Sequence, residues 1–155
     1  MCIVVDAPLL ISLFKSSDPN HEKYKPVLHW LKNGSGKLVF GGTTYLQELS
    51  AVASILNVLK EFEKLHKVVR IATNLVDEHQ AAVKEIAPEK NFDDPHLVAI
   101  VRASSCKLIC VNDPRSHKYL RDVRFYESGK YRPSLYTRPR NHQLLSESNI
   151  MKCCK

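Results

Sequence analysis

Cys2-Ile3-Val4-Val5-Asp6 sets four apolar residues, three of them β-branched, directly before a carboxylate. An unbroken run of this kind suits a short strand buried on both faces, as in a parallel sheet. Two later stretches repeat it: Lys37–Phe40, closed by Gly41-Gly42, and Leu108–Val111, closed by Asn112-Asp113-Pro114. The intervals read as helices. Leu9, Leu10, Leu13 and Phe14 recur at helical spacing. Asp18-Pro19 gives a cap and first helical residue for a helix carrying Val27, Leu28, Trp30 and Leu31, with Pro26 either kinking it or marking its true start. Thr43 or Thr44 caps the next helix, whose row is Leu46, Leu49, Ala53, Leu56 and Leu59. Val68–Ile71 reads as strand or helix, and Asn74–Ile86 as helix. Asp93 is the expected cap of a helix with Leu97, Ile100 and Val101 inward, and a short helix near Leu120 precedes an expected strand at Val123–Tyr126. This alternation predicts a three-layer α/β/α fold with a mostly parallel sheet over residues 1–126. Residues 127–155 are expected to form a basic, partly disordered extension.

The 155 residues are ordinary in composition, with 44% hydrophobic and 25% charged, and suffice for one buried core. The first residues reach a charge at once and lack a signal-peptide layout, and no apolar stretch is long enough to span a membrane. A cytoplasmic protein with no membrane partner is expected. The five cysteines are odd in number and lack zinc-ribbon spacing, so Cys2 and Cys110 read as small apolar strand residues. The net charge of +7 arises after residue 113, where 10 Lys and Arg face 3 Asp and Glu. Such asymmetry favours a polyanionic partner.

The acids fall at informative places. Asp6 and Asp113 each follow a buried strand, and Asp94 and Glu48 lie early in helices. Strand carboxyl ends and helix N-termini share one edge of an α/β sheet, the usual ligand crevice. Carboxylates gathered there repel one another unless a cation compensates, and oxygen-rich sites suit Mg²⁺ or Mn²⁺. Each acid also has a plain reading. Asp6 and Asp93 cap helices, Asp94 complements a helix dipole, Asp113-Pro114 marks a turn, and Glu48 is solvated.

The order and spacing of three segments resemble the PIN-domain family of metal-dependent nucleases. These are Ile3-Val4-Val5-Asp6-Ala7, Thr44-Tyr45-Leu46-Gln47-Glu48-Leu49, and Asp94-Pro95-His96-Leu97-Val98-Ala99 continuing through Leu108–Asp113. The resemblance implies that Asp6, Glu48, Asp94 and Asp113 bind one or two Mg²⁺ or Mn²⁺ ions for endonucleolytic hydrolysis of RNA. Asp93 competes with Asp94 as the third acid; Asp94 keeps the family's spacing to Leu97. Pro8 stands where many members have Asn, and Cys110-Val111-Asn112 where many have Thr or Ser, so Asn112 is a candidate substitute polar group. Thr44 and His96 are further candidates beside the acids. Many small members are toxins held by an antitoxin, which makes a protein inhibitor an expected partner, together with a homodimer.

For the RNA itself, Arg115, Lys118, Arg121 and Arg124 lie near the proposed site. Lys130, Arg132, Arg138 and Arg140 interleave with Tyr131 and Tyr136, offering cations to phosphates and rings to unstacked bases. Two other classes compete. One is a catalytically weak PIN-like module that binds RNA or protein, motivated by Pro8 and Val111. The other is a phosphatase or phospho-receiver, which would want a Lys after a later strand that the chain does not clearly offer.

Overall fold

The computed structural model describes residues 2–146. The strands are β1 (Cys2–Val5), β2 (Lys37–Gly41), β3 (Val68–Ile71), β4 (Leu108–Cys110) and β5 (Ser134–Tyr136). The helices are α1 (Leu9–Phe14), α2 (His21–Asn33), α3 (Thr43–Ala51), α4 (Leu56–Lys64), α5 (Thr73–Ile86), α6 (Pro95–Ser104) and α7 (His117–Leu120). All strands pair in parallel, in the order β3-β2-β1-β4-β5. The expected three-layer α/β/α architecture is what forms. Every residue of β1 and β4 is buried, which explains their unalternating sequences. The ambiguous segment Val68–Ile71 is a strand, paired to β2 from Leu38↔Val68 to Gly41↔Ile71.

The order places a topological switch at β1. The chain runs outward from β1 through β2 to β3, then returns to lay β4 on the other flank of β1. The loops after β1 and β4 therefore part in opposite directions and leave a crevice between them. Asp6 and Asp113 stand at its two sides, and the Asp6 backbone N–H donates to the Cys110 carbonyl at 3.0 Å.

Several local expectations need correction. Val123–Tyr126 is not a strand: Val123–Phe125 is a 3-10 turn, because the Asp122 carboxylate accepts from the Arg124 backbone N–H at 2.9 Å. The apolar residues that suggested a strand are instead held by ring contacts, with Phe125 stacked on Phe92 at 5.7 Å. The fifth strand comes later, at Ser134–Tyr136, bonded to β4 from Leu108↔Ser134 to Cys110↔Tyr136. The boundary drawn at residue 126 thus runs inside the sheet, and the basic segment supplies an edge strand.

Helix starts differ too. α2 begins at His21, after an Asp18 side chain that accepts from the Asn20 N–H at 2.8 Å. Pro26 lies within it. α3 is capped by neither threonine's side chain. Gly42 precedes it at φ +85°, and the Asp77 carboxylate of α5 takes the Thr43 N–H at 2.8 Å and the Thr43 hydroxyl at 2.6 Å. A side chain at residue 42 would also collide with Val76. α6 starts at Pro95, so the N-cap position belongs to Asp94, and no side-chain cap bond forms there. No helix among the described residues is long and apolar enough to cross a membrane. The Cys153-Cys154 pair lies outside the described residues.

Candidate metal centre

Three elements bring the acids together. β1 ends at Val5, so Asp6 is the first residue outside the sheet. Tyr45, fully buried in the first turn of α3, stacks on Phe40 at 5.5 Å and donates its hydroxyl to the Val5 carbonyl at 2.6 Å. That bond fixes α3 against the end of β1. Glu48 follows Tyr45 by three residues, on the same helix face, and is thereby directed at the crevice. α6 contributes Asp94 and His96 from its first turn, with the His96 ring 6.3 Å from that of Tyr45.

Asp6, Asp94 and His96 each offer a ligand atom, and these atoms all lie within 4.8 Å of one another. His96 Nε2 stands 3.2 Å from Glu48 Oε2. The angles of that approach do not make a hydrogen bond, so both His96 nitrogens and Glu48 Oε2 are buried without hydrogen-bond partners. His96 is only 1% exposed. Buried polar atoms are almost always satisfied, so three orphans in one place mark a site built for something else.

The electrostatics agree. Burial, then the charges of Asp94 and Glu48, push the Asp6 carboxyl up to about 6. Asp94 is raised as well, by burial first and then by Glu48, Asp93 and Asp113, although His96 opposes the shift. Tyr45 is held well above its ordinary range by burial and by Asp6 and Glu48, so its hydroxyl stays a donor. Burial and Asp6 likewise keep the Cys110 thiol protonated.

No protein-family model matches the chain, and no curated protein or solved structure matches it either. What the site can do therefore has to be read from its own geometry.

The other expected residues divide. Asp113 lies at the outer edge of the cluster, half-exposed, where Arg115 holds its carboxylate with Nε at 3.0 Å and Nη2 at 2.8 Å. Those bonds lower its pKa. Asp93 is exposed and acts on Asp94 only through its charge. Asn112 accepts from the Tyr24 hydroxyl at 3.1 Å, and Thr44 accepts from Gln80 at 2.9 Å, so each side chain is engaged elsewhere. His96 is the residue to which sequence reasoning gave too little weight. Its signal was the Asp-Pro-His start of α6, which puts an imidazole two residues from an uncommitted N-cap acid.

Of the basic residues, Lys118, Arg121, Arg132 and Arg138 line one open cavity of about 550 Å³ with His117, Leu135 and Thr137. Its lining comes from α7 and from β5 with the residues on either side of it. Lys130 and Arg140 are exposed outside it. Arg124 is committed to Asp122 at 2.7 Å and Glu89 at 3.5 Å, away from the cluster. Tyr136 is fully buried, with its hydroxyl donating to the Lys23 carbonyl at 3.3 Å, and is unavailable to stack on a base. Tyr131 is exposed.

Proposed function

We propose that the chain is a PIN-like, metal-dependent endoribonuclease that hydrolyses RNA phosphodiester bonds. The observation that carries this reading is the meeting of Asp6, Glu48 and Asp94 around buried, unpartnered donor atoms at a sheet switch point. The residues fit a divalent cation: the carboxylates of Asp6 and Asp94 resist ionisation beside one another and Glu48, and a cation offsets that repulsion. Asp6 and Asp94 would hold Mg²⁺ or Mn²⁺, with Glu48 beside them and Asp113 on the rim. Such an ion lowers the pKa of water and neutralises charge building on a phosphate.

The rest of the task falls to the protein. Lys118, Arg121, Arg132 and Arg138 bind the RNA backbone and set its path toward Asp113. Tyr45 keeps α3 docked on β1, which holds Glu48 against Asp6. Arg115 is placed to move from Asp113 to a substrate phosphate when the carboxylate takes up an ion. An antitoxin-like inhibitor and a homodimer are proposals that follow from the family resemblance.

The test is cleavage of a labelled RNA in Mn²⁺ by the wild type, beside EDTA and beside Asp6→Asn. Cleavage that persists under both conditions would sink the reading. The Arg115–Asp113 pair favours a second one, a weakly catalytic RNA-binding module. Tight, metal-independent RNA binding with no turnover in Mn²⁺ or Mg²⁺ would establish that alternative.

A further inference from the structure

We infer that the imidazole of His96 is a direct ligand of the metal, making the centre a mixed nitrogen-oxygen site that prefers a transition ion such as Mn²⁺ to Mg²⁺. The inference builds on the metal-dependent reading above and adds a ligand outside the set of four acids.

Neutral imidazole carries one N–H donor and one acceptor lone pair, and a buried histidine normally satisfies both. His96 is 1% exposed and satisfies neither. A histidine that served only to pack would sit beside apolar groups or accept a donor. This one faces carboxylates, with Nε2 3.2 Å from Glu48 Oε2 and a ring nitrogen within 4.8 Å of oxygens of Asp6 and Asp94. Adjacent ligands of one octahedral ion, each about 2.1 Å from it, stand roughly 3 Å apart, and opposite ligands roughly 4 Å. The 3.2 Å approach of Glu48 matches adjacent ligands, and the 4.8 Å bound on the others leaves them within a small adjustment of one ion. A histidine that merely oriented Glu48 would donate a well-formed hydrogen bond to it, as ligand-positioning pairs do. The 3.2 Å approach is not one.

The ring is also held in place. It lies on the first turn of α6, beside Asp94, with the fully buried Tyr45 next to it. Little side-chain freedom is left to lose on binding. Imidazole nitrogen suits first-row transition ions, whereas Mg²⁺ takes oxygen ligands and gives up its waters reluctantly.

The deciding measurement uses the full-length, metal-free chain. Mn²⁺ is added and pulsed EPR is recorded for coupling to a directly bonded ¹⁴N, while Mn²⁺ and Mg²⁺ affinities are measured by titration. The wild type is expected to show the ¹⁴N coupling and tighter binding of Mn²⁺ than of Mg²⁺. His96→Gln is expected to lose the coupling and more than about 10-fold in Mn²⁺ affinity, the least that loss of even an outer partner of a ligand costs, with Mg²⁺ affinity nearly unchanged. The retained Mg²⁺ binding shows that the variant is folded and the acids still converge. Bound Mn²⁺ with no ¹⁴N coupling in the wild type would overturn the inference. So would an equal loss of both ions in a His96→Gln protein whose melting is unchanged. The nuclease reading fails separately: ¹⁴N-coupled Mn²⁺ with no RNA cleavage would leave the His96 ligand standing and remove the activity.

Discussion

Asp6→Asn should stabilise the metal-free protein at neutral pH, although it removes a group from the centre. In the folded chain Asp6 titrates at about 6, against an ordinary value of 3.8, because burial and neighbouring acids disfavour its charge. Below 3.8 folded and unfolded chains both carry the proton, and Asp6 contributes no pH dependence. Between 3.8 and about 6 the folded chain holds more protons, so stability falls as pH rises. Above about 6 the whole penalty is present, at most roughly 3 kcal/mol from 1.36 kcal/mol per pH unit. Asparagine keeps the shape and discards the charge. For a domain of this size, a gain somewhat under that ceiling raises Tm by about 4–10 °C. The assay is thermal unfolding in EDTA at a series of pH values from 4 to 8. The variant should melt higher than the wild type at pH 7.5, and the gap should close as pH falls toward 4. The closing gap isolates the charge from any cost of the new amide, which does not vary with pH. Added Mn²⁺ should reverse the order at pH 7.5, because binding to the folded state alone raises the wild type's stability. A variant that melts lower than the wild type by the same amount at every pH would refute the reasoning.

Further consequences concern the rim, the cavity and the edge strand. Arg115→Ala should bring the Asp113 pKa up toward its ordinary value, read by carboxyl NMR, and strengthen Mn²⁺ binding a few-fold with Tm unchanged. Replacing Arg132 and Arg138 by Gln should weaken RNA binding across sequences and reduce the slope of log affinity on log salt by about 1.4, from roughly 0.7 per phosphate contact on a single strand. Tyr136→Ala should cost about 3–5 kcal/mol in a denaturant titration, since it empties a fully buried aromatic site. A chain ended at residue 126 should unfold less cooperatively and at lower denaturant, because β4, still paired with β1, would lose β5 and become an uncovered sheet edge.

The parts of the fold legible in sequence were those set by burial. β1, β2 and β4 are apolar runs because both their faces are covered, and α6 shows eight buried residues among its ten. What stayed hidden was set by contacts distant in sequence. Val123–Tyr126 has strand-like residues, but one carboxylate at Asp122 folds it into a turn. Ser134–Tyr136 sits among Arg and Pro and shows no strand pattern, as an edge strand three residues long needs none. Asp77 caps α3 from 34 residues away, which no local motif could announce. At the site, Asp6 was readable from its place after a strand. Asp113 was equally readable in position, but not its capture by Arg115, which depends on a turn. Glu48 owes its direction to the Tyr45 bond with Val5, a contact between residues 40 apart.

The distribution of charge partners through the molecule is in keeping with the proposed cation site. Many acids elsewhere have partners. Asp18, Asp77 and Asp122 take backbone N–H groups, and Glu22, Glu61 and Glu63 pair with Lys25, Lys64 and Arg70. Asp113 has Arg115. Among the described residues, no Lys or Arg forms a salt bridge with Asp6, Glu48 or Asp94. The chain does not lack cations, since its net charge is +7. A lysine in the crevice would have relieved the repulsion permanently and closed the site. Burial and mutual repulsion raise the Asp6 and Asp94 carboxyls beside Glu48 and a buried imidazole, a penalty that a cation in the crevice would relieve. A phosphate chain cannot supply that charge and would be repelled by the bare acids. On the proposed reading, the basic cavity beside β5 and the acid cluster would act on the same RNA only once an ion stood between the carboxylates and the phosphate, so that metal binding would come first and RNA binding at the crevice second.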